Sequence, residues 1–375
     1  MDLWHVLRLQ FPVTREWIYL NHAAVSPLPL RATQQMQAYL HELSGRGAVG
    51  YPAFVFDVIQ RARTLGGQLI NAPPDDVFIV RSTTQGLGVV ATGLQVKPGD
   101  NVVLVDREFP ANLRPWMPLQ RRGVEVRRVP QREGRVVMDD LARAVDGRTR
   151  AVSVSFVQFL SGFRIDVARV AELCRQHDAL CVIDAIQGLG AFPLDVAASG
   201  IDFLSADAHK WMLGPEGVGL GYASSRALDR IDQSLEGWFS VRDPFDFFDL
   251  EQPLRDTAAR YEDGAYNVAG LHGMVGSLEL LLGVGVVNIS RRILELTDHL
   301  AQGLQRKEWL VHSPRDVEHE RSGIVLTGRE GIDVPALRQR LAERKVVVSV
   351  RGGALRIAPH AYNTVEEIDT LLEIL

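Results

Sequence analysis

The 375-residue chain holds 37 arginines but only four lysines: Lys97, Lys210, Lys307 and Lys345. Chemistry that needs a primary amine therefore has few candidates. Lys97 sits in a turn-like run, QVKPGD. Lys307 closes a helical pattern, and Lys345 lies just past another. Lys210 differs, because Asp207-Ala208-His209-Lys210-Trp211 follows an apolar, strand-like run and precedes Gly214-Pro215-Glu216-Gly217. A lysine is rarely set deep in apolar surroundings without a reason. Desolvation lowers its pKa and makes the amine a nucleophile suited to Schiff-base formation.

Three other stations fall just past apolar runs. Arg81-Ser82-Thr83-Thr84-Gln85-Gly86 follows VFIV and opens a helical pattern. Thr83, Thr84 and the amides of Gln85 and Gly86 would lie at a helix N-terminus, which favours phosphate. The plain alternative is a helix cap. Glu108-Phe109-Pro110-Ala111-Asn112 follows VVLVD. Phe109 is either a ring stacked on a flat ligand or a core residue. Asp184-Ala185-Ile186-Gln187 follows LCVI. A buried Asp184 needs a cation as partner, or else it caps the next segment. A phosphate cradle, a stacking ring, an acid for a pyridinium and an amine for an aldehyde are together the parts that hold pyridoxal 5'-phosphate.

The elements that would position these stations are legible as alternation. Strand-like runs occur at 77–80, 102–105, 124–129, 151–157, 179–184, 203–206 and 217–222. Helical patterns lie between them, from about Thr84, from about Ala111 and near 167–177. This predicts an α/β fold with a mostly parallel, doubly covered sheet, so that all four stations stand at carboxyl ends of strands, where such sheets bind ligands. Two helices, about 30–43 and 53–70, precede the first strand, and Pro73-Pro74 stops the second. A long helix is expected over 272–307 with a break near Gly283–Gly285. The last 60 residues read as strand–helix–strand–strand–helix. The first 25 residues read as an arm with one short strand, WIYLN. Residues 236–268 are irregular and rich in aromatics.

Composition narrows the function class. Apolar residues make up 46% and charged residues 23%, with a net charge of −5. This excludes a disordered, collagenous or disulfide-scaffold protein and argues against a nucleic-acid binder, which needs a basic face. No run of about 18 apolar residues suggests a membrane span. The N-terminus lacks a signal-peptide pattern. With Cys174 and Cys181 the only cysteines, a reducing, cytoplasmic setting is expected. No metal site is called for.

From YLNHAAVSPLP to LRIAPHAYNTVEEID the chain resembles the class V aminotransferases, a family of fold-type I pyridoxal-phosphate enzymes. ADAHKWMLGPEGVGLGY is an especially specific match, and the spacing of Asp184 and Lys210 fits the family. The resemblance implies a large domain with a seven-stranded sheet over residues 26–260. It also implies a small α+β domain over 261–375, with the arm 1–25 packed on it. Lys210 resembles the Schiff-base lysine, and Asp184 the partner of the pyridine nitrogen. Gln187 resembles the residue bonded to the phenolic oxygen. Thr83, Thr84 and Gln85 match the phosphate loop, and His209 is a further phosphate donor in many relatives. Phe109 falls where relatives stack a ring on the cofactor. Gln158 falls near the substrate carboxylate, and Arg356 resembles the arginine that grips it. His22, in Asn21-His22-Ala23-Ala24, belongs to a segment that closes over substrate, or is a turn histidine. Family members are typically homodimers with the site at the interface. Ala265 lies in the loop that reaches the partner's phosphate.

Three departures from the family pattern matter. Cysteine desulfurases carry a nucleophilic cysteine on a mobile loop, but only Gly352-Gly353-Ala354-Leu355 separate Arg351 from Arg356. Asp207 replaces a phosphate-binding serine, and its side chain is expected to turn away. Ala265 replaces a threonine. The resemblance then implies an enzyme acting on an amino acid, a small-molecule substrate, with transamination first. A cysteine-independent, β-eliminating C–S lyase or an epimerase is the alternative. A non-catalytic sensor would usually carry a DNA-binding domain, and none is visible. Trp238, Phe239 and Tyr266 are either a pocket rim or a dimer contact.

Overall fold

A computed structural model describes residues 2–375. Seven strands form the main sheet: β1 (Val77–Val80), β2 (Asn101–Val105), β3 (Glu125–Val129), β4 (Thr149–Ser155), β5 (Leu180–Asp184), β6 (Phe203–Asp207) and β7 (Gly219–Ala223). Their order is β1-β7-β6-β5-β4-β2-β3. The pairs from β6 to β3 are parallel, and β7 alone runs antiparallel to both neighbours. Every residue of β1, β2, β5, β6 and β7 is buried, as expected where helices cover both faces. Only the edge strand β3 is polar, and its Arg127 and Arg128 discourage pairing with another chain.

Helices α1 (Leu30–Arg46) and α2 (Tyr51–Ile70) precede the sheet, and α3 (Thr83–Gly93) follows β1. After β2 the expected helix is replaced by 3₁₀ turns, Pro110–Asn112 and Arg114–Arg122. The cause is Pro110, Pro115 and Pro118, which lack the N–H an α-helix interior needs. The long C-terminal helical stretch breaks as its glycines suggest. Helix α4 (Val268–Val284) meets α5 (Val286–Arg306) at an 81° bend, and Gly285 between them has φ of 86°, a conformation costly for other residues. No single helix among the described residues is long and apolar enough to cross a membrane.

The C-terminal sheet comprises β8 (Leu310–Val311), β9 (Val325–Gly328), β10 (Ser349–Arg351) and β11 (Ala354–Ile357) in the order β8-β9-β11-β10, all antiparallel. Leu20, Leu296, Leu300, Leu337, Leu355 and Leu371 share its apolar core. The arm is anchored there. Ile18–Tyr19 pairs in parallel with Val346–Val347, Phe11 stacks on Tyr362 at 3.9 Å, and Arg8 pairs with Glu367 at 2.8 Å. A short helix, Leu3–Arg8, precedes that strand and was not anticipated.

Residues beyond 261 also join the core of the main sheet: Leu271, Met274, Leu278, Leu281 and Ile293, and later Ile324, Ala358 and Tyr362, whereas Leu296 joins the C-terminal core. The reason is that α4 is apolar on nearly all sides, so it must lie between α1, α2 and the rest of the core.

Helix α3 sits close against the sheet because Gly86 has no side chain. A Cβ there would lie 2.3 Å from Ser205 Oγ on β6. Alanine is the better helix former, yet Gly86→Ala is expected to lower stability by about 1–3 kcal/mol through overpacking. Urea unfolding would measure the loss, and Ser205→Gly should restore part of it.

Candidate active site

The carboxyl ends of β1, β2, β5 and β6 open into one cavity of about 310 Å³. Eight of the twelve residues singled out in the sequence line it: Thr83, Thr84, Phe109, Asp184, Gln187, His209, Lys210 and Arg356. A larger cleft of about 930 Å³ lies elsewhere, between the two sheets. Its charged walls are closed by pairs such as Arg135–Asp316 and Arg315–Asp298. It holds no lysine, so the chemistry belongs to the smaller cavity.

At the start of α3, Ser82 caps the helix by accepting from Gln85 N at 3.1 Å. The Gly86 N–H donates to Ser82 O at 3.2 Å, so the Gln85 and Gly86 amides are both used, and the free N–H groups at the positive helix end are those of Thr83 and Thr84. Thr83 Oγ1 accepts from Asp207 N at 3.0 Å, tying α3 to the end of β6. His209 Nδ1 lies 2.9 Å from Asp207 Oδ1. Asp207 is among the residues lining the cavity, and its Oδ1 is buried on the side of the imidazole.

Lys210 is 8% exposed and Asp184 2%. Burial lowers the Lys210 amine to about 8, while nearby Asp184 raises it and Arg356 lowers it. Burial raises Asp184 to about 6, opposed by the Ile186 N–H and by Lys210. Lys210 Nζ stands 5.5 Å from the centre of the Phe109 ring. That ring is 45% exposed and meets Phe159 edge-on at 5.3 Å, which leaves a face for stacking. The Lys210 backbone is fixed by Ser26, whose Oγ donates to Lys210 O at 2.6 Å.

Arg356 is buried on β11. Its Nη1 donates to Phe159 O at 2.7 Å and its Nε to Ser349 Oγ at 3.3 Å. Burial, with Arg351 nearby, lowers its guanidinium to about 9. An anionic ligand would relieve both effects. Arg351 also lines the cavity. In the sequence it stood only as the edge of a missing loop.

Four expected residues lie elsewhere. Gln85 folds back, its Oε1 accepting from Arg81 N at 3.2 Å, and lines a small neighbouring crevice with Ala265 and Asn267. Ala265 therefore stands off the cavity within this chain. Gln158 is spent on Glu108 at 2.8 Å and Gln131 at 2.9 Å. His22 is fully buried, one ring nitrogen 2.8 Å from Ala358 O and the other 2.7 Å from the Tyr362 hydroxyl. Burial holds it well below the usual histidine range. It does not line the cavity. Trp238, Phe239 and Tyr266 do not line the cavity either.

Glu108 was quoted in the sequence without a role. It is buried beneath the cavity floor and accepts from Ser155 N at 2.8 Å, from the Ser155 hydroxyl and from Gln158. Burial, with Asp184 adding to it, raises Glu108 to about 7. Its need for donors is what draws Gln158 away from the cavity. The signal was present: a carboxylate at a strand end, one residue before Phe109.

No cysteine approaches the cavity. Cys174 and Cys181 are both buried in the sheet core. Between Arg351 and Ala354 the chain makes a two-residue hairpin turn through Gly352 and Gly353, with φ of 58° and 78°. There is no room for a mobile loop.

The sequence matches the family described as Aminotransferase class-V over residues 18–371. The chain belongs to this family. Among its relatives is a probable cysteine desulfurase of Methanothermobacter thermautotrophicus, 29% identical over 98% of this chain and 96% of that protein. The apo cysteine desulfurase of Thermococcus onnurineus NA1 has the same fold, with a TM-score of 0.90 at 23% identity over 100% of this chain and 97% of that one. So does the cystine C–S lyase C-DES, solved with cysteine persulfide (TM-score 0.88, 23% identity, 97% and 98% covered). A C-DES mutant with glycine covalently linked to its PLP cofactor gives a TM-score of 0.89 at 23% identity over 98% of each chain.

The cavity fits that cofactor's chemistry. It offers a helix end for phosphate, a buried acid for a ring nitrogen and a desolvated amine for an aldehyde. Only the neutral amine attacks an aldehyde, so the lowered Lys210 sets the pH dependence. Loading of pyridoxal phosphate onto ligand-free protein is expected to rise about tenfold per pH unit below pH 8 and level off above it. Stopped-flow absorbance at several pH values would measure this. Borohydride trapping should label Lys210, and Lys210→Ala should remove the label.

Proposed function

We propose that this protein is a pyridoxal-phosphate enzyme that labilises the Cα proton of an α-amino acid, with transamination as its main outcome. The observation that carries this reading is the convergence of Lys210, Asp184 and Arg356 on one cavity at the strand ends. When bound, the cofactor supplies an electron sink for negative charge at Cα.

The chain's own residues then have distinct tasks. Thr83, Thr84 and His209, with the α3 N-terminus, hold the phosphate. Phe109 covers one ring face. Asp184 keeps a proton on the ring nitrogen; beside that cation its carboxyl falls back toward the ionised form. Arg356 would grip the α-carboxylate with its remaining guanidinium N–H groups, and so fix which Cα bond points toward Lys210. Lys210 Nζ would take the Cα proton and later return it.

A second reading is a β-eliminating C–S lyase. It is favoured by the sulfur amino-acid activities in the names of the desulfurase and C-DES relatives. It uses the same Lys210 step and needs no cysteine. The burial of Cys174 and Cys181 speaks against persulfide transfer by a cysteine of this chain.

The working unit in this reading is a homodimer. Trp238, Phe245, Phe247, Phe248 and Leu250 form an exposed apolar patch beside the 262–267 loop. Patches of this kind mark protein contacts. Ala265 would then reach the phosphate of the second subunit.

Single-turnover assays with an amino-acid panel and no keto acid separate the two reactions. Transamination predicts accumulated pyridoxamine phosphate and one keto acid. Keto acid with sulfide or ammonia and an intact aldehyde cofactor would instead establish the lyase. Arg356→Lys keeps the charge but loses the planar fork. It is expected to raise KM roughly 10- to 100-fold in steady-state assays with little change in cofactor retention. A KM unchanged from wild type would remove Arg356 from the carboxylate site.

A further inference from the structure

Gln187 is an amide whose two ends are told apart by its neighbours. An indole N–H only donates. Trp211 Nε1 donates to Gln187 Oε1 at 2.9 Å, so that end is the oxygen. At the other end Nε2 donates to the backbone oxygen of Ala23 at 2.9 Å. An amide nitrogen carries two hydrogens, and the one not used on Ala23 is left for the cavity that Gln187 lines.

The indole is a firm anchor. Trp211 is fully buried and lies near-parallel to His360 at 5.9 Å. Gly323 packs on its ring where a Cβ would come within 2.3 Å, and Gly190 packs on its backbone, where a Cβ would lie 2.5 Å from its oxygen. Without the indole N–H, Gln187 Oε1 would be a buried acceptor with no donor, a costly state. The amide would pivot about its Ala23 contact and turn its oxygen toward the donors of the cavity.

We propose that Trp211 is a positioning residue: its indole pins Gln187 so that an amide N–H, not an oxygen, faces the phenolic oxygen of the cofactor. The proposal rests on the reading that pyridoxal phosphate binds at Lys210 with that oxygen beside Gln187. An N–H there takes up negative charge from the phenolic oxygen. The oxygen then pulls less strongly on the proton it shares with the Lys210 nitrogen, and that proton leaves at lower pH.

The test is a pH titration of the visible absorbance of the loaded enzyme. Trp211→Phe keeps a ring and removes the donor, and it should raise the midpoint by about one unit. Gln187→Ala should raise it similarly, and the double variant no further, as for two residues acting in one chain of contacts. A shift in Gln187→Ala with none in Trp211→Phe would overturn the proposal and reduce Trp211 to packing. No shift in either would also overturn it, while a band that borohydride fixes to Lys210 keeps the cofactor reading intact. A wild-type protein with no such band would defeat both. Where Trp211→Phe does not fold, ¹⁵N-indole spectra of the loaded wild type and Gln187→Ala decide. One of the six indole signals should move upfield when Gln187 is lost, and an unchanged set would overturn the proposal.

Discussion

A buried amine beside a buried carboxylate is the constraint around which this fold is organised. Neither Lys210 nor Asp184 is at home in an apolar interior alone. Burial drives the amine down to about 8 and the acid up to about 6, and each group partly offsets the other's shift. The pair is thus held near the point where either can give up its charge. That is a poor arrangement for stability and a useful one for chemistry. A ligand that brings an aldehyde for the amine and a protonated ring nitrogen for the acid relieves both desolvation costs together.

The surrounding structure follows from keeping that pair in place. Asp184 closes the central strand β5, whose residues are all buried, so its carboxylate meets only the cavity. Lys210 stands after β6, and its backbone is fixed by Ser26 from the segment ahead of α1. Thr83 joins β6 to α3 through the Asp207 amide. Gly86 lets α3 approach the sheet closely enough for that contact. The arm does not cover the cavity through His22, as the sequence suggested. It contributes Ala23, Ala24 and Val25 to the wall, while His22 locks it to Ala358 and Tyr362 behind.

The sequence was most readable where one local signal decided the matter. The scarcity of lysine isolated Lys210. Short apolar runs ending in polar residues located Asp184, Thr83 and Phe109 at strand ends. The strand pattern gave the parallel sheet, because parallel strands are buried on both faces and so read as unbroken apolar runs. It was least readable where a partner lies far away in the chain. Nothing near Gln158 indicates that Glu108, fifty residues earlier, will claim its amide. The hydroxyl that engages His22 belongs to Tyr362, 340 residues later. The Leu3–Arg8 helix is too short to show a period, and the prolines after Phe109 override an otherwise helical pattern.

The missing cysteine shapes the reaction by geometry as much as by chemistry. A desulfurase needs a thiol that travels to the substrate sulfur. Here β10 and β11 join through two glycines, and the arginines that flank the join, Arg351 and Arg356, both face the cavity. The place of a mobile nucleophile is taken by a rigid hairpin that carries positive charge. Such a wall would bind and orient an anionic substrate without attacking it. In the proposed function the group that would take and return a proton at Cα is Lys210, the buried amine of the cavity. Under the proposed function the substrate's own Cβ substituent would then set its fate. With a poor leaving group there, the proton would be redelivered and transamination would follow; with a good one, the Cβ bond would break first, from the same residues in the same positions.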